Sequence, residues 1–190
     1  MRVLITGAKG LVGQALTQHC SSKGDEVLSH DHRTLDITNG ILVSATIQNL
    51  RPDAVINCAA WTDVDGCESD PQRAFAVNAS GPGNLAAASR RVGAVLVTLS
   101  TDYVFDGTKE GFYTQRDDPQ PVSVYGASKI EGEHKAQLAN ARTIVVRTGF
   151  VFGHGGTNFL STVVDRARQG VRLKAISDAW GNQTYANNLA

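Results

Sequence analysis

The chain has no excess of charge of either sign. Lysine plus arginine and aspartate plus glutamate each number 18 in 190 residues, so bulk charge attracts neither a nucleic acid nor an anionic membrane surface. A small-molecule ligand is expected. No apolar run approaches the ~20 residues of a membrane span, and the N-terminus passes through one arginine into a short strand and a glycine turn. No membrane association and a cytoplasmic location follow as expectations. Cysteine is scarce: Cys20, Cys58 and Cys67 are odd in number and lack C-x-x-C spacing, which reads as buried small hydrophobes rather than bridges. The five histidines are scattered outside any carboxylate or cysteine cluster, so no metal site is expected. There is no internal repeat and no low-complexity tract.

What the chain does have is concentrated at its start. Val3, Leu4 and Ile5 form a short apolar run, and Gly7, Gly10 and Gly13 follow at a three-residue step. That pattern reads as a buried strand, a tight turn and a helix start. Side chains at such a turn would hold a phosphate away from the helix N-terminus, whose N–H groups and dipole favour an anion. The spacing G-x-x-G-x-x-G is one residue longer in its first gap than the dinucleotide fingerprint G-x-G-x-x-G. Position directly after a strand still favours a dinucleotide loop, with Leu11 and Val12 beside the glycines.

Beyond the turn, two periods alternate. Helices are expected over 11–23, 39–50 with Thr38 as N-cap and Pro52 as terminator, 71–91 with a break at Ser80-Gly81-Pro82-Gly83, 123–140 and 158–169. Strands are expected over 26–29, 54–57, 94–99 and 143–146, with loops over 61–70 and 106–121. The implied class is α/β: a doubly wound, Rossmann-type parallel sheet with helices on both faces and ligands at the carboxyl ends of its strands. A chain of 190 residues supports one good core and is short for two full domains.

Each strand end should therefore deliver ligand groups. About twenty residues past the glycines, an acid commonly takes the ribose hydroxyls of NAD and an arginine the 2′-phosphate of NADP. Asp31 and Arg33 supply both types, so dual use of NADP(H) and NAD(H), with NADP favoured, is expected. Asp36 could accept from an adenine amino group or serve helix entry, with Ile37 beside it. Asn57, Cys58, Ala59 and Ala60 would let backbone approach the cofactor.

Tyr125 and Lys129, four apart in Tyr-Gly-Ala-Ser-Lys, share a helix face. A nearby ammonium favours the phenolate, which predicts a lowered tyrosine pKa and an acid or base usable near neutrality. Ser100 and Thr101 offer hydroxyls to a carbonyl oxygen beside that tyrosine. Asn78 could anchor a water linking Lys129 to solvent.

Taken together, Gly7 to Gly13, Ser100-Thr-Asp-Tyr-Val-Phe-Asp-Gly107 and Tyr125 to Lys129 resemble the extended short-chain dehydrogenase/reductases, most of all the dTDP-4-dehydrorhamnose reductase family. The match runs along the whole chain. The resemblance implies NADPH- or NADH-dependent reduction of the carbon-4 ketone of a dTDP-4-dehydro-6-deoxy sugar. It implies that Thr101 orients the carbonyl, Tyr125 donates the proton, and Lys129 binds the nicotinamide ribose and tunes Tyr125. It places Asp102 and Tyr103 near the sugar and Arg147-Thr-Gly-Phe150 beside the nicotinamide. The family often has tryptophan where Phe150 stands, so the aromatic wall survives and a ring N–H donor does not. Ala15 stands where some relatives carry a glutamate for a dimer-bridging magnesium, which again implies no metal.

The family continues for about another hundred residues as a small domain that clamps the nucleotide-sugar. Residues 1–176 are therefore expected to form the NAD(P)-binding domain with the catalytic residues. Residues 177–190, including the hinge-like Ser177 to Thr184, would open a substrate-binding domain that is largely absent. Phe159, Leu160, Val163 and Trp180 would then face outward and favour a homodimer or a partner chain. Two other classes share the motifs. Sugar-nucleotide dehydratases and epimerases are one, although the dehydratases have an Asp-Glu pair where Asp102 is followed by Tyr103. The other is a non-catalytic binding subunit like the β subunit of methionine adenosyltransferase.

Overall fold

Strand β1 (Arg2–Thr6) is buried along nearly its whole length because it lies inside a sheet covered on both faces. In the computed structural model, which describes residues 1–155, 158–174 and 181–190, five parallel strands stand in the order β2-β1-β3-β4-β5. The others are β2 (Glu26–His30), β3 (Ala54–Asn57), β4 (Val95–Thr101) and β5 (Thr143–Thr148). The chain winds from β1 to β2 on one side, then returns to β3, β4 and β5 on the other. The direction changes between β1 and β3, where a ligand crevice opens in such sheets.

Alternate strand residues feed two cores, as the period of two demands. Leu4, Val55 and Leu96 pack with Val43 and Ile47 of α2 (Gly40–Leu50), Leu85 of α5 (Gly81–Val92) and Ala136 of α6 (Val124–Ala139). Val3 and Ile5 turn to the opposite face and meet Leu16 and Cys20 of α1 (Leu11–Ser22). Each fully buried Leu or Ile contributes roughly 1.5–3 kcal/mol. The doubly wound architecture is thus the one the alternation implied. The three cysteines are free thiols, two of them buried.

Several local expectations are corrected. Asn39, not Thr38, caps α2, with its Oδ1 accepting from the Leu42 N–H at 3.0 Å. Thr38 is engaged by the Asp36 carboxylate through its N–H and its hydroxyl, at 2.9 and 2.8 Å. The 61–70 segment holds a helix, α3 (Val64–Ser69), capped by Asp63; one apolar turn around Cys67 is too short to show a period. The glycine-proline cluster at 80–83 does not break its helix. Instead α4 (Pro71–Phe75), a π-helical turn (Ala76–Ser80) and α5 follow one another. Pro82 sits in the first turn of α5, where a missing N–H is tolerated.

Strands β4 and β5 run on to Thr101 and Thr148, pairing Ser100 with Arg147 and Thr101 with Thr148. Their polar ends resemble loop in the sequence, yet they carry the rim of the sheet. The 106–121 segment is irregular, as expected, and is tied by Lys109 to Asp117 at 2.7 Å. Past β5, a short parallel pair joins β6 (Val151–Phe152) to β7 (Thr184–Tyr185), flanking α7 (Phe159–Arg168). Neither two-residue strand has a readable period. The final helix α8 (Ala186–Leu189) lies on the α1 side, with Ala190 against the Val3 and Ile5 cluster. Residues 177–180 of the expected hinge, Trp180 among them, lie outside the described residues. Val164, rather than Val163, joins Phe159 and Leu160 as an exposed apolar side chain of α7.

Candidate functional site

At the end of β1 the chain turns with Gly7 at φ +67°, a conformation that glycine adopts without strain. A Cβ there would lie 2.6 Å from the Ala59 nitrogen, and one at Gly13 would collide with the Gly7 carbonyl oxygen. The turn is therefore pressed against both the β3 end and the first turn of α1. Gly10 is the N-cap of α1 and offers no side-chain acceptor, so the first N–H groups of that helix remain available to an anion.

These elements border a cleft of about 640 Å³. Gly10, Leu11 and Val12 come from the turn, and Cys58, Ala59 and Ala60 from the end of β3. The β4 end brings Thr101, Asp102 and Tyr103, and α6 brings Tyr125 and Lys129. Phe150 closes the far side at φ +43°, 47% exposed. The sequence-expected groups from four strand ends and one helix are thus brought to one place, at the sheet's switch point.

Within the cleft, Tyr125 and Thr101 line the same wall. The Thr101 hydroxyl donates to Asp102 at 3.1 Å, and Tyr103 packs edge-on against Tyr125 at 5.6 Å between ring centroids. The Lys129 ammonium donates to the Leu99 carbonyl at 2.7 Å. Burial pushes the Tyr125 hydroxyl up to about 12, with the Thr101 hydroxyl opposing, and lowers Lys129 to about 8, with Glu133 opposing. The tyrosine shift thus reverses the one expected from a neighbouring ammonium. Desolvation of the phenolate outweighs any help from Lys129, which bonds to the backbone.

Ser100 and Asn78 engage their side chains within the fold. Ser100 lines the cleft beside Thr101, while its hydroxyl donates to Glu133 at 2.5 Å. Asn78 is buried. Its Oδ1 accepts from the Trp61 N–H at 2.8 Å, and its Nδ2 donates to the Trp61 carbonyl and to Ser128 at 2.9 and 3.1 Å. Its side chain fastens the 61 loop to α6, a role the sequence does not show. Asn57 likewise lies beneath the rim, bonded to Thr6 at 2.7 Å and to Thr98 at 3.0 Å. Together they cross-link β1, β3 and β4.

A second hollow of about 550 Å³ adjoins the glycine turn and includes Lys9, Ser29, Asp31 and Thr34. Asp31 is ion-paired with Lys9 and accepts from the Arg33 and Thr34 N–H groups at 3.0 and 3.1 Å. Lys9 and these amides hold its carboxyl well below the usual range. Arg33 is exposed nearby. Asp36 and Ile37 do not reach this hollow: Asp36 binds Thr38, and Ile37 is buried under Gly81.

Sequence reasoning missed Lys9, whose pairing with Asp31 only the turn geometry creates. It also missed Glu133, which accepts from Ser100 and takes a two-pronged contact from Arg147 at 3.0 and 2.7 Å. A carboxylate one helical turn after Lys129 was the available signal. Among the described residues, no group of three metal-ligating side chains stands together.

A glycine turn at the switch point of a doubly wound parallel sheet, with threonine, tyrosine and lysine at the rim, defines a Rossmann-type dinucleotide-binding fold. The chain belongs to the RmlD substrate binding domain family, whose model matches residues 1–190. It is similar to the dTDP-4-dehydrorhamnose reductase of Aggregatibacter actinomycetemcomitans, 40% identical over 190 residues, covering 100% of this chain and 65% of that protein. The structure of a dTDP-4-dehydrorhamnose reductase ortholog from Clostridium acetobutylicum superposes with TM-score 0.96 at 41% identity, covering 100% of this chain and 67% of that one. That of the Bacillus anthracis dTDP-4-dehydrorhamnose reductase in complex with NADP gives 0.95 at 37%, covering 99% and 67%. The chain spans about two thirds of the length of the relatives it matches.

Proposed function

We propose that this chain binds NADP(H) or NAD(H) in the cleft and carries the catalytic set of a sugar-nucleotide reductase. The reaction is reduction of the 4-keto group of a dTDP-4-dehydro-6-deoxy sugar, dTDP-4-dehydrorhamnose giving dTDP-rhamnose. The observation that carries the reading is the meeting of Thr101, Tyr125 and Lys129 in a cleft bounded by the glycine turn. Relatives about 40% identical are named for that reaction, and one solved relative holds NADP.

The residues fit a dinucleotide. Side chains are absent where Gly7 and Gly13 leave no room for a Cβ, so backbone donors at the start of α1 meet the diphosphate. At the adenosine end, Asp31 serves a ribose diol, while Lys9 and Arg33 offer positive charge to a 2′-phosphate; dual use follows from having both. Lys129 holds the nicotinamide ribose.

When bound, the reduced nicotinamide supplies hydride to the carbonyl carbon. With its pKa near 12, Tyr125 is a neutral phenol at pH 7 and has a proton to give. It protonates the carbonyl oxygen as negative charge builds there. Thr101, beside that phenol in the cleft, positions the same oxygen. Asp102, Tyr103 and Phe150 face the sugar.

On this reading residues 1–176 are the dinucleotide-binding part and 177–190 open a substrate-binding domain; the relatives are longer than this chain by about a third of their own length. Remote grip on the diphosphate and base positions the ketone, so the chain alone should turn over nucleotide-sugar poorly. Exposed Phe159, Leu160 and Val164 on α7 support self-association, and a cytoplasmic location is part of this reading. A coupled assay on dTDP-4-dehydrorhamnose, run on this chain beside one extended by a second domain, tests it. Activity confined to the longer chain is expected. Absence from both refutes the reductase, and equal rates refute the placement of substrate binding.

A further inference from the structure

Two adjacent residues of β4 are tied to α6 immediately before Thr101. Lys129 grips the Leu99 carbonyl at 2.7 Å, and Glu133, one turn further along the helix, receives the Ser100 hydroxyl at 2.5 Å. Glu133 is 5% exposed and is held from β5 by Arg147, whose guanidinium lies 5.1 Å over the Phe105 ring. Resting on the reading of Thr101, Tyr125 and Lys129 as the catalytic set, we propose that Glu133 is a positioning residue of this site. It clamps the Ser100–Thr101 end of β4 to α6 and gives the buried Lys129 ammonium its counter-charge.

Few other groups compete for that task. Tyr125 on the same helix and Cys58 after β3 are both pushed up to about 12 by burial, so each is neutral at pH 7. The β4 neighbour is the neutral Leu99 carbonyl. From β5, Arg147 reaches Glu133 and orients its carboxylate. Glu133 is thus the anion that favours protonated Lys129, and its hydrogen bonds satisfy both carboxylate oxygens, as a buried charge requires.

The test follows the Lys129 titration by NMR of ¹³C-labelled lysine in the ligand-free chain, with Lys129→Met identifying the resonance. Glu133→Gln keeps the shape, removes the charge and leaves Arg147 unpaired, so the Lys129 midpoint should fall by at least about one pH unit, tenfold in proton affinity. Glu133→Asp, which keeps the charge, should move it less. Should Glu133→Gln fail to fold because Arg147 is orphaned, Glu133→Gln with Arg147→Met is compared with Arg147→Met alone, and the same direction is expected. A purely structural clamp would lower the melting temperature of these variants and leave the midpoint unmoved. A midpoint within about 0.3 unit of its reference in the comparison that folds overturns the proposal. Failure of the native chain to bind NADPH would instead refute the catalytic reading, because the titration is read without cofactor.

Discussion

Replacing Lys129 by methionine should make the fold more stable at pH 7 while weakening its hold on cofactor. Burial lowers the amine from 10.5 to about 8, which at 1.36 kcal/mol per unit corresponds to roughly 3 kcal/mol. The folded pKa lies below the unfolded one, so at pH 7 the lysine is charged in both states and the folded state bears the whole penalty. Between pH 8 and 10.5 the penalty fades, and native stability gains by that amount. Methionine removes the charge and fills similar space, but it leaves the Leu99 carbonyl without its 2.7 Å donor, a loss of about 1–2 kcal/mol. The variant should therefore gain about 1–2 kcal/mol at pH 7, or about 2–8 °C in melting temperature for a chain of this size. Near pH 10.5 the sign should reverse, with the variant weaker by the lost hydrogen bond. Urea denaturation of both proteins at pH 7 and pH 10.5 gives the difference, in which other titrating groups cancel. A variant less stable at both pH values by the same amount would show that burial does not penalise the Lys129 charge.

Tyr125→Phe removes the proposed proton donor. In a chain able to bind substrate it should lower kcat by roughly 10²–10⁴-fold while NADPH affinity, read by fluorescence, is kept; retained turnover would end the proposed mechanism. Arg33→Ala should weaken NADPH binding and leave NADH nearly unchanged, since Asp31 is held by Lys9 and by backbone amides. Equal loss for both cofactors would remove Arg33 from the 2′-phosphate.

The parts of the fold legible in the sequence are those whose cause is local. Val3 to Ile5 followed by three spaced glycines announces a strand, a turn and a helix, and the four-residue step from Tyr125 to Lys129 places both on one face. Thr101 was legible because a polar pair ended an apolar strand. Its neighbour Ser100 also lines the cleft, but the bond of its hydroxyl to Glu133 was not legible, because β4 runs two residues further than its apolar stretch and only packing brings α6 over that end. The π-helical turn that leads into Gly81 and Pro82 lies against α6, with Ile37 packed over Gly81, and neither contact is visible in the sequence. The direction of the Tyr125 shift was illegible for the same kind of reason. Burial is a property of the assembled cleft, whereas the lysine four residues away is visible in the sequence.

Glu133 and Lys9 show the limit most clearly. Their partners, Arg147 and Asp31, stand 14 and 22 residues away in sequence, and no period links them. Only the packing of α6 against β4 and β5, and the fold of the glycine turn back toward the β2 end, brings the charges together.

On the proposed reading, these residues alone build a working dinucleotide site. Titrating the purified chain with NADPH and following nicotinamide fluorescence tests it most directly. Saturable one-to-one binding is predicted, weakened by Lys129→Met and abolished by Gly13→Val, whose side chain would strike the Gly7 carbonyl. No binding of NADPH or NADH to a folded native chain would contradict the account.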